Sequence, residues 1–513
     1  MMKHASVSCL AVLSIFLGAF LFAHEAFSAA IPNGPIYKDL FEYRFMDGVK
    51  IKVHYSRQIL KQSGETNRFA RDVLDAAVEA YQIITQFQGF SSIGYTFAYP
   101  DKSYAYDPDR TIDIYIGGVL GDEAVLNQAS HIFSFKDAPC FDTIKLSDTQ
   151  YEAVILLPSN YREFIKNWER INPSSLGVRN ISVDLRGTLI HEMLHVILFY
   201  YNKNLNKDND DPQAANLSAD GKVDWYVEGL ARYFETFAGA RHDFFSQGFK
   251  QTLPDKIRFS RGGANYFMRY PDQAFTDLRY ENALFWRFVD YHYGMAVIER
   301  ISKDLRNHAK QEFVPMLERA TQTPFNELLK TFAMSILFND FGLKEDTIFL
   351  KAVARTHLVY KNKNFYLVDG AGNQKYLGRT CRTDWIGKWE NASAAFGESA
   401  VAGDSTEKAD VSGWATDYLL IDLDSNDRAL PGLSVTHTDG GSSLTVQWVA
   451  FTKGGSLLTK DLGNIKQTES AKLDLRQWIG TQHLRAQDIE KIILLIANTD
   501  PHRTADYEVT VSP

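Results

Sequence analysis

One apolar run, residues 189–201, constrains this chain more than any other feature, because three ionisable side chains interrupt it. His191, Glu192 and His195 stand among neighbours that are almost all apolar. Such a run predicts a helix inside a hydrophobic core, where an unpaired polar group costs several kcal/mol. The fold must therefore bury this helix and also provide a partner for its ionisable groups.

The spacing of these three residues favours a metal ion as that partner. On a helix, His191 and His195 lie about 40° apart in rotation and about 6 Å apart along the axis, so both leave one face. Two imidazole nitrogens placed in this way can reach one ion about 2 Å from each. Glu192 is turned to the side, where its carboxylate can hold a metal-bound water without being a ligand. The alternative is a core helix whose histidines are satisfied by protein groups.

A second helical pattern, residues 225–235, offers the third ligand. Catalytic zinc takes three protein ligands and keeps one open position, and two histidines with one glutamate are a common set. Glu228 is the candidate, and Gly229 beside it has no side chain to keep the two helices apart. Glu235 returns to within about 20° of the Glu228 face and is predicted to accept the second N–H of a ligand histidine. Its alternative is a solvated surface acid.

The sequence HEMLH at 191–195, followed by WYVEGLARYFE at 225–235, resembles the gluzincin metallopeptidases, the clan of thermolysin and the zinc aminopeptidases. The resemblance implies one zinc ion held by His191, His195 and Glu228. It also implies a general-base role for Glu192 and a supporting role for Glu235.

A further segment, beginning Tyr280-Glu281-Asn282, looks like the part of the aminopeptidases that carries a catalytic tyrosine. By that similarity Tyr280 hydrogen-bonds the oxyanion. An aromatic residue at the start of an amphipathic helix also fits a place in the core.

The resemblance implies a divergent bacterial metallopeptidase that is secreted and acts on a peptide or protein. The sequence Gly-Ala-Met-Glu-Asn, which captures a free N-terminus in the aminopeptidases, is absent, so an endopeptidase is favoured. The strand at 153–157 is expected to form the sheet edge that pairs with an extended substrate. Two alternatives stay open: a zinc hydrolase acting on a substrate other than a peptide, and an inactive zinc-binding scaffold whose β-sandwich binds a glycan, cell wall or protein partner.

The first thirty residues have the order of a secretory signal peptide, with a basic start, an apolar run and small residues at Ser28 and Ala30. We therefore expect cleavage near these residues and a secreted or periplasmic protein. No other window is apolar for the roughly 20 residues that a membrane span needs.

The patterns of the remaining chain predict an α+β zincin-like catalytic domain with a small mixed sheet, a helical subdomain, and a C-terminal all-β sandwich. Helical spacing is found at 67–88, 181–203, 223–239, 280–304, 308–320 and 324–340. Strand-like runs occur at 49–55, 111–116, 153–157, 418–423, 433–436, 444–451, 492–497 and 507–511. The predicted divisions are a signal peptide at 1–30, a catalytic domain at 31–240, a helical subdomain at 241–365, a linker at 366–390 and a sandwich at 391–513.

Charge and cysteine content limit the partners. With 55 Lys and Arg against 63 Asp and Glu, the net charge is -8, which argues against a nucleic-acid surface. Loss of Cys9 with the signal leaves Cys140 and Cys381. These two can pair in an oxidising compartment, and two buried free thiols fit the sequence equally well.

The stretch between His195 and Glu228 is longer than in the best-known gluzincins, so an insertion such as 202–222 must loop out. It carries a short acidic group that could bind calcium, although a solvated acidic loop is favoured. The members of this group are Asp208, Asn209, Asp210 and Asp211.

Overall fold

The structure is a computed structural model. It describes residues 41–117, 140–161, 181–201, 224–237, 282–340, 356–382, 410–423 and 430–512, several of these ranges with short internal gaps. The chain divides into two compact units. The first contains the described residues up to 201 together with 302–307, and the second contains 224–301 and the described residues from 313 onward. The predicted domain boundaries at 240, 365 and 390 stay predictions.

The first unit is built on one mixed sheet of seven strands. The strand order is β1-β2-β5-β7-β4-β3, and β6 pairs with β7. Alternation explains the central strands, since Val49, Ile51 and Val53 of β2 are all buried on one face. The strands are β1 (Phe41–Met46), β2 (Val49–His54), β3 (Thr96–Ala98), β4 (Tyr104–Tyr106), β5 (Thr111–Ile116), β6 (Cys140–Ser147) and β7 (Gln150–Leu157).

The expected sheet edge at 153–157 is wrong. These residues belong to β7, which pairs in parallel with β5 and antiparallel with β6, so both of its sides are occupied. The prediction failed because an unbroken apolar run such as Ala153-Val154-Ile155-Leu156-Leu157 is typical of a strand inside a sheet. Among the described strands, β6 pairs with β7 alone and forms an edge.

The described α-helices that lie wholly within the first unit are α1 (Arg57–Gln62), α2 (Asn67–Gln82) and α3 (Ile181–Tyr201). The Thr66 side chain caps α2 by accepting a hydrogen bond from the Arg68 amide. Helix α2 packs on β1, β2 and α3, and α3 also packs on β6 and β7. A π-helical turn, Ile83–Phe87, continues α2 to nearly the predicted end of that helix.

Before its first strand, the described part of the second unit contains five helices, and their arrangement differs in one place from the sequence prediction. The helix predicted at 280–304 is two helices, because Gly294 between them adopts a φ of 85° that an α-helix does not allow. The five are α4 (Asp224–Glu235), α5 (Ala283–Tyr293), α6 (Met295–Asn307), α7 (Phe313–Thr321) and α8 (Phe325–Phe338). The last residues of α6 belong to the first unit.

Two sheets follow. One has the strand order β10-β9-β8-β13-β18-β15-β16, and the other has β11-β19-β14-β17 with β12 paired to β19. The strands are β8 (Thr356–Lys361), β9 (Asn364–Val368), β10 (Gln374–Gly378), β11 (Cys381–Arg382), β12 (Asp410–Val411), β13 (Thr416–Leu423), β14 (Gly432–Asp439), β15 (Leu444–Thr452), β16 (Leu457–Ile465), β17 (Ser470–Asp474), β18 (Ile489–Asn498) and β19 (Ala505–Ser512).

Both sheets contribute to one apolar core, which includes Trp448 from the larger sheet and Val435 and Val509 from the smaller one. A short helix, α9 (Leu475–Thr481), also belongs to this region, so it is not purely β. The β-sandwich class stays a prediction.

The predicted linker also differs from the structure, because β9, β10 and β11 fall largely within 366–390. The apolar sequence Phe365-Tyr366-Leu367-Val368 outweighs the Gly and Asn residues around it. Among the described residues, no helix combines the length and the apolar character that crossing a bilayer requires.

Candidate metal centre

Helix α3 carries the first motif and is buried from residue 189 to its end. Every residue from 189 to 201 is buried, including both motif histidines and the glutamate. The helix is held by polar contacts near its start, where the Arg186 guanidinium lies 2.9 Å from the Glu79 carboxylate of α2. Thr188 is 2.8 Å from the Tyr161 hydroxyl. The apolar sequence and the packing on α2, β6 and β7 thus fix the part of the helix that bears the ionisable groups.

The structure brings His191, Glu192 and His195 together. One potential ligand atom from each residue lies within 4.8 Å of the other two. The two imidazole rings have their centroids 4.7 Å apart at an angle of 67°. The residues are 7%, 7% and 5% exposed, so this donor set is withdrawn from solvent.

This donor set fits a zinc ion in its chemistry. Imidazole nitrogen and carboxylate oxygen are both common zinc ligands, at about 2 Å. Two nitrogens on adjacent turns of one helix can share an ion at that distance. The arrangement can therefore hold a metal ion and place a carboxylate beside it.

Helix α4 carries the second motif and lies in the second unit. Glu228, Arg232 and Glu235 share one face of this helix, since they are four and three residues apart. Glu228 is half-buried. Its coordination of the same ion as His191 and His195 stays a prediction.

Glu235 is buried, at 8% exposure, so the alternative of a solvated surface acid is wrong. Its Oε2 accepts a hydrogen bond of 2.6 Å from Arg232 Nη1. The contact was not anticipated, although the spacing i, i+3 of opposite charges in the sequence signals it. The role of Glu235 toward a ligand histidine stays a prediction.

Helix α4 packs on α5 through aromatic rings. Trp225 and Trp286 stack with centroids 6.1 Å apart at 9°, and Tyr226 meets Trp286 edge-on at 5.1 Å. All three rings are buried. This aromatic contact holds α4 against α5 within the second unit.

A buried polar cluster accompanies these rings. The Tyr233 hydroxyl donates a hydrogen bond of 2.6 Å to Asp290 Oδ2 on α5. Burial raises the pKa of Tyr233 well above its usual range, and the Asp290 carboxylate adds to the rise while Arg287 opposes it. Sequence reasoning missed this cluster. The available signal was the pair Arg287 and Asp290 inside an otherwise apolar helix.

A buried histidine outside the motif, His54, was also missed. His54 Nε2 is 2.5 Å from Asp113 Oδ1, across the parallel strands β2 and β5. The His54 ring stacks on Tyr115 at 4.4 Å. The pair is a buried structural contact of the sheet.

Several predictions lie outside the described residues. They concern Tyr280, the signal peptide at 1–30 and the acidic group within 202–222. Cys140 and Cys381 begin β6 and β11, but their side chains are not described, and the disulfide stays a prediction.

Comparison with known proteins adds little to this geometry. No protein-family model matches the chain, and no curated protein matches it. One solved structure with partial similarity is a family GH115 4-O-methyl-alpha-glucuronidase with specificity for decorated arabinogalactans. The identity is 9% and the TM-score 0.15, and the match covers 83% of this chain and about half (54%) of the other. A TM-score this low does not indicate a shared fold.

Proposed function

We propose that the chain is a secreted zinc-dependent metallopeptidase, and that it acts as an endopeptidase. The observation that carries the proposal is the group of His191, Glu192 and His195, whose donor atoms lie within 4.8 Å of one another inside a buried apolar helix. Imidazole nitrogen and carboxylate oxygen are donor types that zinc takes, and this separation of the three donor atoms allows them to surround one ion. The zincin-like fold class of the catalytic part, with a β-sandwich after it, belongs to the same proposal.

The residues proposed to hold zinc are His191, His195 and Glu228. When bound, zinc supplies Lewis acidity, which makes a water molecule acidic near neutral pH and polarises a substrate carbonyl. Glu235 would orient one of the histidines by accepting its second N–H, which fixes the ring and raises its basicity.

Glu192 is proposed as the general base. Its carboxylate oxygen takes a proton from the attacking water and passes it to the nitrogen of the leaving amine. A carboxylate within 4.8 Å of both imidazole donors is near enough to act on a water between them. The buried surroundings of Glu192 keep bulk water away, so the proton passes to the leaving amine rather than to solvent. Tyr280, on the resemblance alone, is proposed to donate a hydrogen bond to the oxyanion.

Three strands of the first sheet, β1, β3 and β6, have one paired side among the described strands. Of these, β6 is the candidate for binding a peptide, because α3 packs against it. A free strand edge binds an extended peptide through backbone hydrogen bonds, largely independent of side-chain identity. We therefore place the substrate along β6 rather than along β7.

The proposal is tested with Glu192→Gln, a change that keeps the shape of the side chain and removes its basicity. We expect the variant to bind one zinc ion per chain and to lose hydrolysis of a denatured protein substrate by about 10²–10⁴-fold. Glu65→Gln is the matched control, because Glu65 is also a buried acid of the first unit and lies outside α3. Peptide mapping of the products separates a peptidase from another hydrolase.

Peptidase activity that survives in zinc-loaded Glu192→Gln would refute the role of Glu192. A wild-type chain that binds zinc but cleaves no protein or peptide would refute the peptidase assignment and leave the metal centre in place. Sequencing the N-terminus of the exported protein tests the secretion part, with a start near residue 31 expected.

A further inference from the structure

Three polar side chains are buried where α4 meets α5, and the proposed mechanism uses none of them. Tyr233 is fully buried, and Arg287 and Asp290 are 2% and 6% exposed. The Tyr233 hydroxyl donates to Asp290 Oδ2 at 2.6 Å, and the Arg287 guanidinium is also hydrogen-bonded to Tyr233. The cluster thus links the two helices by charged and polar groups removed from solvent.

Stability alone does not explain such a cluster. Charged groups buried in protein lose their hydration, and an apolar set of the same volume often holds two helices at least as firmly. The neighbouring Trp225, Tyr226 and Trp286 already supply a large apolar contact. The polar cluster also fixes how α4 is oriented against α5, because a hydrogen bond has strict distance and angle requirements that ring packing lacks.

This hydrogen bond limits the rotation of α4 about its own axis. Tyr233 follows Glu228 by five residues, which places the two side chains about 140° apart around the helix. Fixing the Tyr233 hydroxyl against Asp290 therefore fixes the direction in which Glu228 leaves the helix. A rotation of about 20°, moving a side-chain end by a few ångströms at most, is enough to spoil a ligand distance that zinc holds near 2 Å.

We infer that Tyr233 and Asp290 are positioning residues, whose hydrogen bond sets the rotation of α4 and so directs the Glu228 carboxylate. The inference rests on the proposed function, since Glu228 is a zinc ligand only within it.

The test compares Tyr233→Phe with Tyr418→Phe in the full chain. Each change removes one buried hydroxyl of the second unit, and the Tyr418 hydroxyl donates to the Ala333 carbonyl, outside α4 and α5. Zinc affinity is measured by competition with a chelator, well below the melting temperature. Hydrogen exchange of α4 is measured on the zinc-free protein.

We expect Tyr233→Phe to weaken zinc binding about tenfold. This is the lower end of the range of about 10–100-fold for losing a residue that supports a metal ligand. It should also speed exchange of the α4 amides. Tyr418→Phe should lower the melting temperature by a similar amount and leave the zinc affinity unchanged. Asp290→Asn is the second variant, and its zinc affinity should fall at least as far if it folds.

A wild-type zinc affinity in Tyr233→Phe would overturn the inference while leaving the proposed function intact. Equal loss of affinity in both tyrosine variants would also overturn it, since the effect would then follow stability alone. A wild-type chain that binds no zinc would overturn the proposed function, and the positioning role with it.

Discussion

The two helices that carry the motif residues bury their polar groups in different ways. Helix α3 is surrounded by apolar contacts over 189–201, and its ionisable groups lie beside one another. Helix α4 carries the charged pair Arg232 and Glu235, and it packs on α5 through aromatic rings. Arg232 and Glu235 of α4 pair with each other, whereas the three donor atoms on α3 lie close enough together to share one ion.

This difference teaches which part of a site stands out in a sequence. Ionisable residues in an apolar helix are conspicuous because they are costly to bury there. Charged residues on a two-faced helix are ordinary, because such a helix normally has a polar side. The comparison is tested by changes that affect one of these two helices and leave the other unchanged.

Zinc removal should have the largest effect, and it should act on α3. A ligand that binds only the folded state at a thousandfold excess over its Kd adds about 4 kcal/mol to the free energy of unfolding. We expect a chelator to lower the melting temperature and to speed hydrogen exchange in α3, with β15 and β18 unchanged. An unaltered melting curve with and without chelator would show that α3 is stable without an ion.

Leu194→Ala should come next, because Leu194 is fully buried on α3 between the two motif histidines. Removing three buried carbons from a closely packed core costs about 2–5 kcal/mol. Leu457→Ala is the control, since Leu457 is 44% exposed and should change the free energy of unfolding by less than about 0.5 kcal/mol. Urea denaturation measures both, and equal effects would show that α3 is not packed as described.

Glu235→Gln acts on α4 and separates the two contacts assigned to Glu235. Loss of the charge-assisted bond from Arg232 should cost about 1–3 kcal/mol of unfolding free energy. The predicted contact to a ligand histidine adds a loss of zinc affinity of about tenfold. Arg232→Gln is the control, expected to lose stability and keep its zinc affinity. If both variants bind zinc as the wild type does, Glu235 serves Arg232 alone.

The smallest effect concerns a polar contact that includes no motif residue. Lys330 Nζ of α8 lies 3.0 Å from Asp461 Oδ2 of β16 and 3.2 Å from Glu327. Burial alone would favour the neutral forms of Asp461 and Lys330, but hydrogen bonds and the opposite charges outweigh this effect on both pKa values. Hydrogen bonds from the Gly463 amide and Lys330 lower the pKa of Asp461, and those to Asp461 and Glu327 raise the pKa of Lys330.

Because the pKa of Asp461 is lowered by folding, its contribution is complete above the unfolded value of about 3.9 and is lost as the pH falls through the folded value. The raised pKa of Lys330 makes its contribution complete below about 10.4 and lost at higher pH. Asp461→Asn should therefore cost at most about 1 kcal/mol between these limits, a value reduced by solvent exposure. Urea titrations from acid to neutral pH check this, and a cost that persists at pH 2 would contradict it.

Much of the fold follows from periodicity. The strands at 49–54 and 111–116 are confirmed almost to the residue, because their apolar positions alternate. The helix at 181–201 is also confirmed, because its apolar run is longer than a strand. Strand β16 was not predicted, since as an exposed edge strand it lacks buried alternation. The place of β7 inside the sheet also needed the structure, because strand order depends on contacts between residues far apart in sequence.

The residues of the site also differ in how far the sequence predicts their contacts. His191, Glu192 and His195 could be brought together from sequence, because they lie within two turns of one helix. The contacts of Tyr233 with Asp290 could not, because they join helices whose packing no local pattern specifies. Glu228 depends on such packing too, and its role rests on motif resemblance.

The most direct test of the central claim is the zinc dissociation constant of the wild type against that of Glu228→Ala, measured by competition with a chelator. The account predicts one zinc ion per wild-type chain and an affinity in Glu228→Ala lower by more than about 100-fold, since even partners outside the ligand shell cost about 10–100-fold. A variant that binds zinc as tightly as the wild type would contradict it.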